Sequence, residues 1–315
     1  MKIAERILDA CDAQNARGGV VAIGTFDGVH IGHQALISRA VSLAQGAKVP
    51  CALFTFQNHP LSVLAPEHVP PALSSREERR RVFALLGVDV LIEERFTEAL
   101  AALSAEEFLS RLADVLAPCT VVVGENFSFG AGGRGTPDFL AARGQALGFR
   151  VEKVPLLSHA GETVSSTRIR ALLSTGDVRL AGELLGRPFE IEGVVAHGDE
   201  RGRKIGFPTA NLLPRKGGAC PAIGVYAACV LRKNGETHPG IANVGDNPTF
   251  DGVELRVETH LLDFSGNLYG ERIAVRFVER LRGEIRFPSA DALVRQIRED
   301  ERRARELFRV LDGAE

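Results

Sequence analysis

The 315-residue chain lacks long hydrophobic runs, cysteine pairs in C-x-x-C spacing and a surplus of charge of either sign. No apolar segment approaches the roughly 20 residues that a membrane-spanning helix needs, and the N-terminal segment has scattered charges where a signal peptide would be apolar. The five cysteines are odd in number and lie partly in apolar runs. This favours reduced thiols over disulfides or a structural zinc site. We therefore expect a cytoplasmic protein with no membrane partner.

The charge balance argues against a nucleic-acid partner. Lys and Arg number 38 against 40 Asp and Glu, a formal net charge of −2, whereas a bulk electrostatic binder of nucleic acid is expected to be basic. At about 150 residues per domain, the length predicts two globular domains. We expect small-molecule substrates, and the sequence leaves open whether the chain forms a homo-oligomer.

The first 185 residues alternate short apolar runs with segments of helical periodicity. Strands are predicted at residues 20–23, 51–56, 88–92, 120–123 and 150–155, and helices at 33–45, 75–86, 104–115 and 137–147. This alternation predicts a Rossmann-like parallel α/β sheet covered on both faces. Ligands bind such sheets beyond the carboxyl ends of the strands, where the strand order reverses.

After the break at Arg187-Pro188, short strand-like runs separated by turn residues replace this pattern. They cover residues 189–196, 223–231, 238–244, 253–262 and 272–281, with one of the turns predicted at Asp246-Asn247-Pro248. An amphipathic helix ends the chain. We predict an antiparallel β-barrel or sandwich with a terminal helix, and domains at residues 1–185 and 186–315.

A turn rich in glycine and histidine connects the first predicted strand directly to a helix. Such a turn points backbone N–H groups and the positive helix end at an anion. His30 and His33 can reach the same ligand and donate hydrogen bonds to phosphoryl oxygens. The candidate phosphate-binding residues of the turn are Gly24, Phe26, Asp27, Gly28 and Gly32. The plain alternative is a tight turn with two surface histidines.

The motif His30–His33 resembles that of the HxGH nucleotidylyltransferase superfamily. The resemblance implies that both histidines act on the triphosphate of ATP, without a covalent intermediate. It also implies phosphate contacts from the start of a late helix, at Ser166, Thr167 and Arg170. By the same resemblance Asn126 contacts the substrates and His59 contacts the flavin. Asn126 stands where many members have Asp, and Asn58 where they usually have Pro.

A competing motif, Gly130 to Gly135, fits G-x-G-x-x-G and would indicate a dehydrogenase. A dinucleotide fingerprint follows its strand immediately. Here residues 125–129 intervene after Gly124, so a loop over the nucleotide fits better.

A second candidate phosphate site opens the C-terminal half. Its loop contains three glycines and three cations, among them Gly198, Lys204 and Gly206, which can surround phosphates with donors and positive charge. Thr209 and Asn211 alternate along an extended segment and so share a face. Their oxygens are suitable ligands for a phosphate-bound Mg²⁺. A solvated basic turn is the alternative.

The segment from Gly206 to Asn211, Gly-Phe-Pro-Thr-Ala-Asn, resembles the motif of riboflavin kinases. The resemblance implies that Gly198, Lys204, Gly206 and Pro208 hold ATP and that Thr209 and Asn211 hold Mg²⁺. Glu258 is the implied general base, which a hydroxyl of high pKa needs. Weaker assignments place flavin contacts at Asn243 and Arg282. A simple ion pair of Glu258 with Arg256 or Arg276 is the alternative.

Together the two halves resemble the bacterial bifunctional riboflavin kinase/FAD synthetase family. The resemblance implies ATP-dependent phosphorylation of riboflavin to FMN in the barrel and adenylylation of FMN to FAD in the first domain, with Mg²⁺ in both steps. Two other classes stay open. One is a flavin-sensing protein with inactive sites, and the other is an RNA-binding module using Arg79–Arg81 and the loop at 199–204.

Overall fold

The computed structural model describes residues 1–4, 13–198, 202, 205–249 and 252–312. The chain forms two compact units, Met1–Ser166 and Thr167–Glu315. Within the described residues, no helix combines the length and the apolar character needed to cross a membrane. The described cysteines, Cys51, Cys119, Cys220 and Cys229, form no disulfide.

The first unit is built on a six-stranded parallel sheet. Its strands are β1 (Lys2–Ala4), β2 (Val20–Ile23), β3 (Cys51–Phe56), β4 (Val90–Glu94), β5 (Thr120–Gly124) and β6 (Arg150–Val154). They lie in the order β1-β4-β3-β2-β5-β6. The order therefore reverses between β2 and β5, and a ligand crevice is expected beyond the carboxyl ends of these two strands.

Helices cover both faces of this sheet, which is why its central strands β2, β3 and β5 are almost continuously apolar. They are α1 (Ile31–Ala47), α2 (Leu61–Leu64), α3 (Arg76–Leu85), α4 (Glu98–Ala101), α5 (Ala105–Leu116) and α6 (Pro137–Leu147). Ile37 and Phe83 bring α1 and α3 into the core on one face. Leu112 and Leu140 bring α5 and α6 into the core on the other. A small hairpin of β7 (Ser158–His159) and β8 (Glu162–Thr163) follows.

The second unit contains a curled antiparallel sheet. Helices α7 (Ser166–Thr175) and α8 (Val178–Leu185) lead into β9 (Phe189–Val194), β10 (Ala210–Leu212), β11 (Gly224–Arg232), β12 (Thr237–Thr249), β13 (Gly252–Leu261) and β14 (Arg272–Arg282). The strand order is β10-β13-β12-β11-β14-β9. An antiparallel bridge between Ala196 and Asn211 joins the two ends of the sheet, so the expected barrel curls back on itself.

The terminal helix α9 (Ala290–Asp312) packs on one face of this curled sheet. Ala304, Leu307 and Phe308 cover an apolar patch that includes Val225 and Ile241. The expected fold class is therefore confirmed in both halves, together with the terminal helix.

Among the differences from the sequence expectations, two have a clear physical reason. The short strand β1 pairs with β4 but was not predicted, because three residues are too few to show a periodicity. The predicted turn at Asp246-Asn247-Pro248 is wrong, because β12 continues to Thr249 and its Pro248 pairs with Val253. On the other side of β12, pairing with β11 runs only as far as Val244. Pro248 thus lies where the strand has one partner, a position that tolerates the missing N–H.

Candidate active sites

The turn between β2 and α1 is held in one conformation by contacts of its own residues. A Cβ on Gly24 would lie 2.8 Å from the ring of Phe26, so a side chain at Gly24 would displace that ring. Phe26 and Gly28 have left-handed backbones, with φ of 51° and 78°. The Asp27 carboxylate accepts a hydrogen bond from the Leu73 N–H at 3.1 Å. Asp27 thus anchors the turn to the loop before α3.

His30 and His33 form a stacked pair at the start of α1. Their ring centroids are 3.6 Å apart with an interplanar angle of 16°. His30 caps the helix, its Nδ1 accepting the backbone N–H of His33 at 3.2 Å, so a neutral His30 carries its proton on Nε2. A Cβ on Gly32 would lie 3.2 Å from His30 Nδ1, so this glycine lets the ring lie against the helix.

Both imidazoles are neutral near pH 7. Burial lowers the pKa of His30 from 6.5 to about 4. Burial, followed by the charge of His30, lowers the pKa of His33 well below its usual value. The Nδ1 atom of His33 is also buried without a hydrogen-bond partner among the described residues. The pair therefore has unused hydrogen-bonding capacity at the positive end of a helix, where an anion is favoured.

A cavity of about 480 Å³ lies at the carboxyl ends of β2, β3 and β5. Five of the predicted site residues line it, namely Gly24, Phe26, His33, His59 and Asn126. His59 Nδ1 accepts the backbone N–H of Leu61 at 3.1 Å, which orients its ring at the wall of the cavity. The strand order reverses between β2 and β5. The cavity thus lies where a ligand site is expected in such a sheet.

The cavity wall has an aromatic side that the sequence reasoning missed. Its members are Phe56, Phe96, Phe108, Phe127 and Phe129. Phe127 and Phe129 stack at 5.5 Å, and Phe56 and Phe96 meet edge to face at 5.2 Å. Such rings suit a flat aromatic ligand. The repeated Phe-x-Phe spacing, at 54–56 and 127–129, was the available signal.

Asn58 connects two loops of this wall, a role that was not predicted from the sequence. Its Nδ2 donates to Phe96 O at 3.0 Å and to Ser62 Oγ at 2.8 Å. Its Oδ1 accepts from Phe96 N–H at 2.9 Å. A single amide thereby ties the loop after β3 to the loop after β4.

The late serine-threonine-arginine segment divides between the two units. Ser166 belongs to the first unit, where its Oγ donates to the backbone oxygen of Asp27 at 3.0 Å. Thr167 and Arg170 lie in α7 within the second unit. Their predicted phosphate contacts stay predictions.

Two competing motifs have other roles in the fold. Gly130 and Gly133 line the cavity. Five residues, 125–129, separate Gly130 from the end of β5, whereas a dinucleotide fingerprint begins at the strand end. Arg79 is buried and donates to the backbone oxygens of Thr25 and Phe56, each at 3.3 Å. Arg79 is therefore a support of the turn between β2 and α1 and is not part of an exposed basic patch.

A second cavity, of about 500 Å³, lies in the second unit. The predicted residues Gly198, Pro208, Thr209 and Asn211 line it. A Cβ on Gly198 would lie 2.6 Å from Asn211 Nδ2, so this glycine lets the backbone approach the amide. Gly206 has a φ of +91°, which explains a glycine there. Lys204 lies outside the described residues.

Sheet register aligns the most important predicted residues of this unit in one row. Asn211 of β10 lies opposite Glu258 of β13, and Glu258 lies opposite Asn243 of β12. Val225 of β11 continues the row, with Arg282 of β14 beyond it. Residues directly opposite one another share a face of the sheet. The metal, base and flavin candidates are thus neighbours across strands distant in sequence.

Asn211 has the environment of a cation ligand. Its side chain is buried, and Oδ1 has no hydrogen-bond partner among the described residues. An unpaired buried amide oxygen is costly unless a ligand satisfies it. Thr209 lies two residues before it at the same cavity. The described residues contain no cluster of three or more His, Cys, Asp or Glu that could hold a metal. Hydroxyl and amide oxygens, such as those of Thr209 and Asn211, are suitable donors for Mg²⁺.

Glu258 and Arg282 both have charged neighbours. Glu258 Oε1 lies 3.8 Å from Arg256 Nη1, and its side chain is 38% exposed. The guanidinium of Arg282 pairs with the buried Asp300 of α9, with Nη2 at 2.8 Å from Oδ2. Asn243 is exposed beside Glu258. The terminal helix therefore holds Arg282 at one end of the row.

Two family models match the chain, one in each half. The model for FAD synthetase matches residues 12–168, and the model for riboflavin kinase matches residues 185–308. The first range contains the histidine pair and its cavity, and the second contains the row from Asn211 to Arg282.

Curated relatives match over nearly the whole length. Bifunctional riboflavin kinase/FMN adenylyltransferases from Escherichia coli strain K12 and Pseudomonas fluorescens are 40% and 41% identical, each over 92% of this chain and 93% of their own. A solved structure described as a macrolide-efflux protein from Streptococcus pneumoniae has a TM-score of 0.88 at 34% identity, covering 96% of this chain and 98% of that one. By its two matched domains and its relatives, the chain belongs to the bifunctional riboflavin kinase/FMN adenylyltransferase family.

Proposed function

We propose that this protein phosphorylates riboflavin to FMN in its second unit and adenylylates FMN to FAD in its first unit, with ATP as co-substrate of both steps. The observation that carries the proposal is that each unit has a cavity of about 500 Å³ or slightly less, lined in part by that unit's predicted site residues, among them His33 and Asn126 in the first and Thr209 and Asn211 in the second. Family membership supports the same two activities.

In the kinase step, Glu258 accepts the proton of the riboflavin 5′-hydroxyl. The hydroxyl oxygen forms a bond to the γ-phosphorus of ATP, the bond from that phosphorus to the β,γ-bridging oxygen breaks, and ADP leaves. A carboxylate within hydrogen-bond reach assists because a free hydroxyl has a high pKa. Arg256, 3.8 Å from Glu258, stabilises the ionised carboxylate that accepts the proton.

Thr209 and Asn211 are the residues that would hold Mg²⁺. The unpaired, buried Oδ1 of Asn211 and the adjacent Thr209 fit a hard cation. When bound with ATP, Mg²⁺ neutralises phosphate charge that would repel the nucleophile. Gly198 lets the backbone come close to the same amide.

In the adenylyl step, an FMN phosphate oxygen attacks the α-phosphorus of ATP. The bond from that phosphorus to the α,β-bridging oxygen breaks, and pyrophosphate leaves. His30 donates a hydrogen bond from Nε2, since its Nδ1 is used by the helix cap, and His33 adds a second imidazole at the same place. Donors that face the developing charge stabilise the transition state. The aromatic wall holds the flavin ring.

Further proposals concern the domain limits and the cellular location. We assign residues 1–185 to adenylyl transfer and 186–315 to the kinase, because the kinase family model begins at residue 185. The described cysteines, Cys51, Cys119, Cys220 and Cys229, are not disulfide-bonded, and this supports a cytoplasmic location.

Separation of flavins by chromatography tests both activities in one sample. The purified chain is incubated with riboflavin, ATP and Mg²⁺, and FMN and FAD are quantified over time. The double variant His30→Ala/His33→Ala should form FMN but no FAD. Glu258→Gln should form FAD only when FMN is supplied. Formation of FAD at the parental rate by the histidine double variant contradicts the assignment of the first site.

A further inference from the structure

We propose that His260 is a positioning residue of the kinase site, whose ring holds the backbone of Pro208 and thereby the Thr209–Asn211 segment. The inference rests on the proposed kinase function of the second unit. His260 is not a member of the row of site residues. It lies two positions after Glu258 on β13, so both side chains are on the same face of the strand.

The ring of His260 lies between the backbone of Pro208 and the terminal helix α9. Its Nδ1 lies 2.8 Å from the backbone oxygen of Pro208. Its Nε2 lies 3.3 Å from Oε1 of Glu301 in α9. The ring of Phe207 meets the imidazole edge to face, with centroids 5.5 Å apart. Three contacts thus restrain a side chain that is 17% exposed.

Hydrogen-bond chemistry determines the direction of the contact with Pro208. A carbonyl oxygen can only accept, so Nδ1 of His260 must donate to Pro208. The opposite ring nitrogen, Nε2, faces the Glu301 carboxylate of α9. The ring therefore has a neighbour on each side, and the Nδ1 contact is the one that reaches Pro208.

The strand ladder does not hold Pro208 and Thr209. Pairing between β10 and β13 covers Ala210 to Leu212, so the two preceding residues lie outside it. Pro208 has no N–H to donate, and its carbonyl is engaged by His260. The His260 bond therefore restrains the segment immediately before the ladder, where Thr209 lines the cavity.

Two substitutions distinguish the contact made by Nδ1 of His260 from the contact made by its Nε2. The amide nitrogen of Asn can replace Nδ1, whereas that of Gln can replace Nε2. His260→Gln should raise KM for ATP in FMN formation about tenfold, equivalent to about 1.4 kcal/mol. Its kcat and its KM for riboflavin should change less than about threefold, because the residue touches no reacting atom. His260→Asn should restore KM for ATP to within about threefold of the parent.

Internal and matched controls accompany these variants. FAD formation from supplied FMN reports on the first unit of the same chain, and the kcat of FMN formation at saturating ATP reports on folding of the second. His68→Gln alters an exposed His–Glu pair in the first unit, with Glu67 at 3.1 Å, and should leave FMN formation unchanged. If the parent makes no FMN, the proposed function itself fails. If the parent makes FMN, equal KM values for ATP in the Asn and Gln variants, or a parental value for His260→Gln, overturn the positioning role.

Discussion

Replacement of Asn58 by alanine should weaken FMN binding in the adenylyl site while leaving the kinase intact. The amide makes two hydrogen bonds to the Phe96 backbone, at 2.9 and 3.0 Å, and one to Ser62. Each such bond contributes about 0.5–1.5 kcal/mol net. Phe96 and His59 both line the cavity, so loss of the amide releases two parts of its wall together.

The two Phe96 bonds together correspond to about 2 kcal/mol. If most of this energy serves to hold the loops for the flavin, KM for FMN rises roughly 10- to 30-fold. Asn58→Asp should act in the same direction, because a carboxylate can still accept from Phe96 N–H but would repel the carbonyl oxygen of Phe96. Steady-state rates of FAD formation at varied FMN and saturating ATP measure this effect.

Ser62→Ala is the matched control for the Asn58 variants. It removes the third bond and leaves both Phe96 bonds in place, so KM for FMN should change less than about threefold. FMN formation from riboflavin, measured on each variant, reports on the second unit. A parental KM for FMN in Asn58→Ala would refute the reasoning, and so would a change as large in Ser62→Ala.

Three other predictions concern stability and the kinase site. Because burial lowers the pKa of His30 from 6.5 to about 4, the unfolded chain binds more protons in this interval. The free energy of unfolding should therefore fall as pH falls from about 6.5 to 4, and urea titrations should show a smaller fall for His30→Ala. Gly198→Ala should abolish FMN formation in the flavin assay while FAD formation from FMN persists, because the new methyl would lie 2.6 Å from Nδ2 of Asn211. Glu93→Gln should lower the free energy of unfolding by about 3 kcal/mol, because this fully buried carboxylate is the partner of two arginines. Urea unfolding of each variant measures this change, and the exposed carboxylate variant Glu106→Gln should cost less than about 1 kcal/mol in the same experiment.

Local features of the chain were predictable because their causes are local. The capping box of Ser104 and Glu107 starts α5 as expected, and Thr136 with Pro137 starts α6. Strands β2, β3 and β5 are buried on both faces and show as apolar runs. The sites were visible for a related reason, since each phosphate motif is contiguous and ends a predicted strand or starts a predicted helix.

Contacts between distant segments were not predictable in the same way. The amide of Asn58 reaches a backbone 38 positions away, and His260 reaches Pro208 over 52 positions. Neither interaction has a periodic signal, because a single side chain has no repeat. The left-handed backbone of Phe26 was equally hidden, because the steric requirement arises from its neighbours in space.

From its order of residues alone, this chain determined two nucleotide-binding halves, the class of each fold and the polar and glycine positions at which each cavity meets its phosphate motif, but not the aromatic wall of the first cavity. Periodicity and capping act over a few positions, so they can be interpreted before folding. The tertiary structure decided the alignment of Asn211, Glu258 and Asn243, the stacking of His30 on His33, and the links through which loops and the terminal helix support them. Register and ring packing depend on which strands become neighbours, and that is a property of the folded chain.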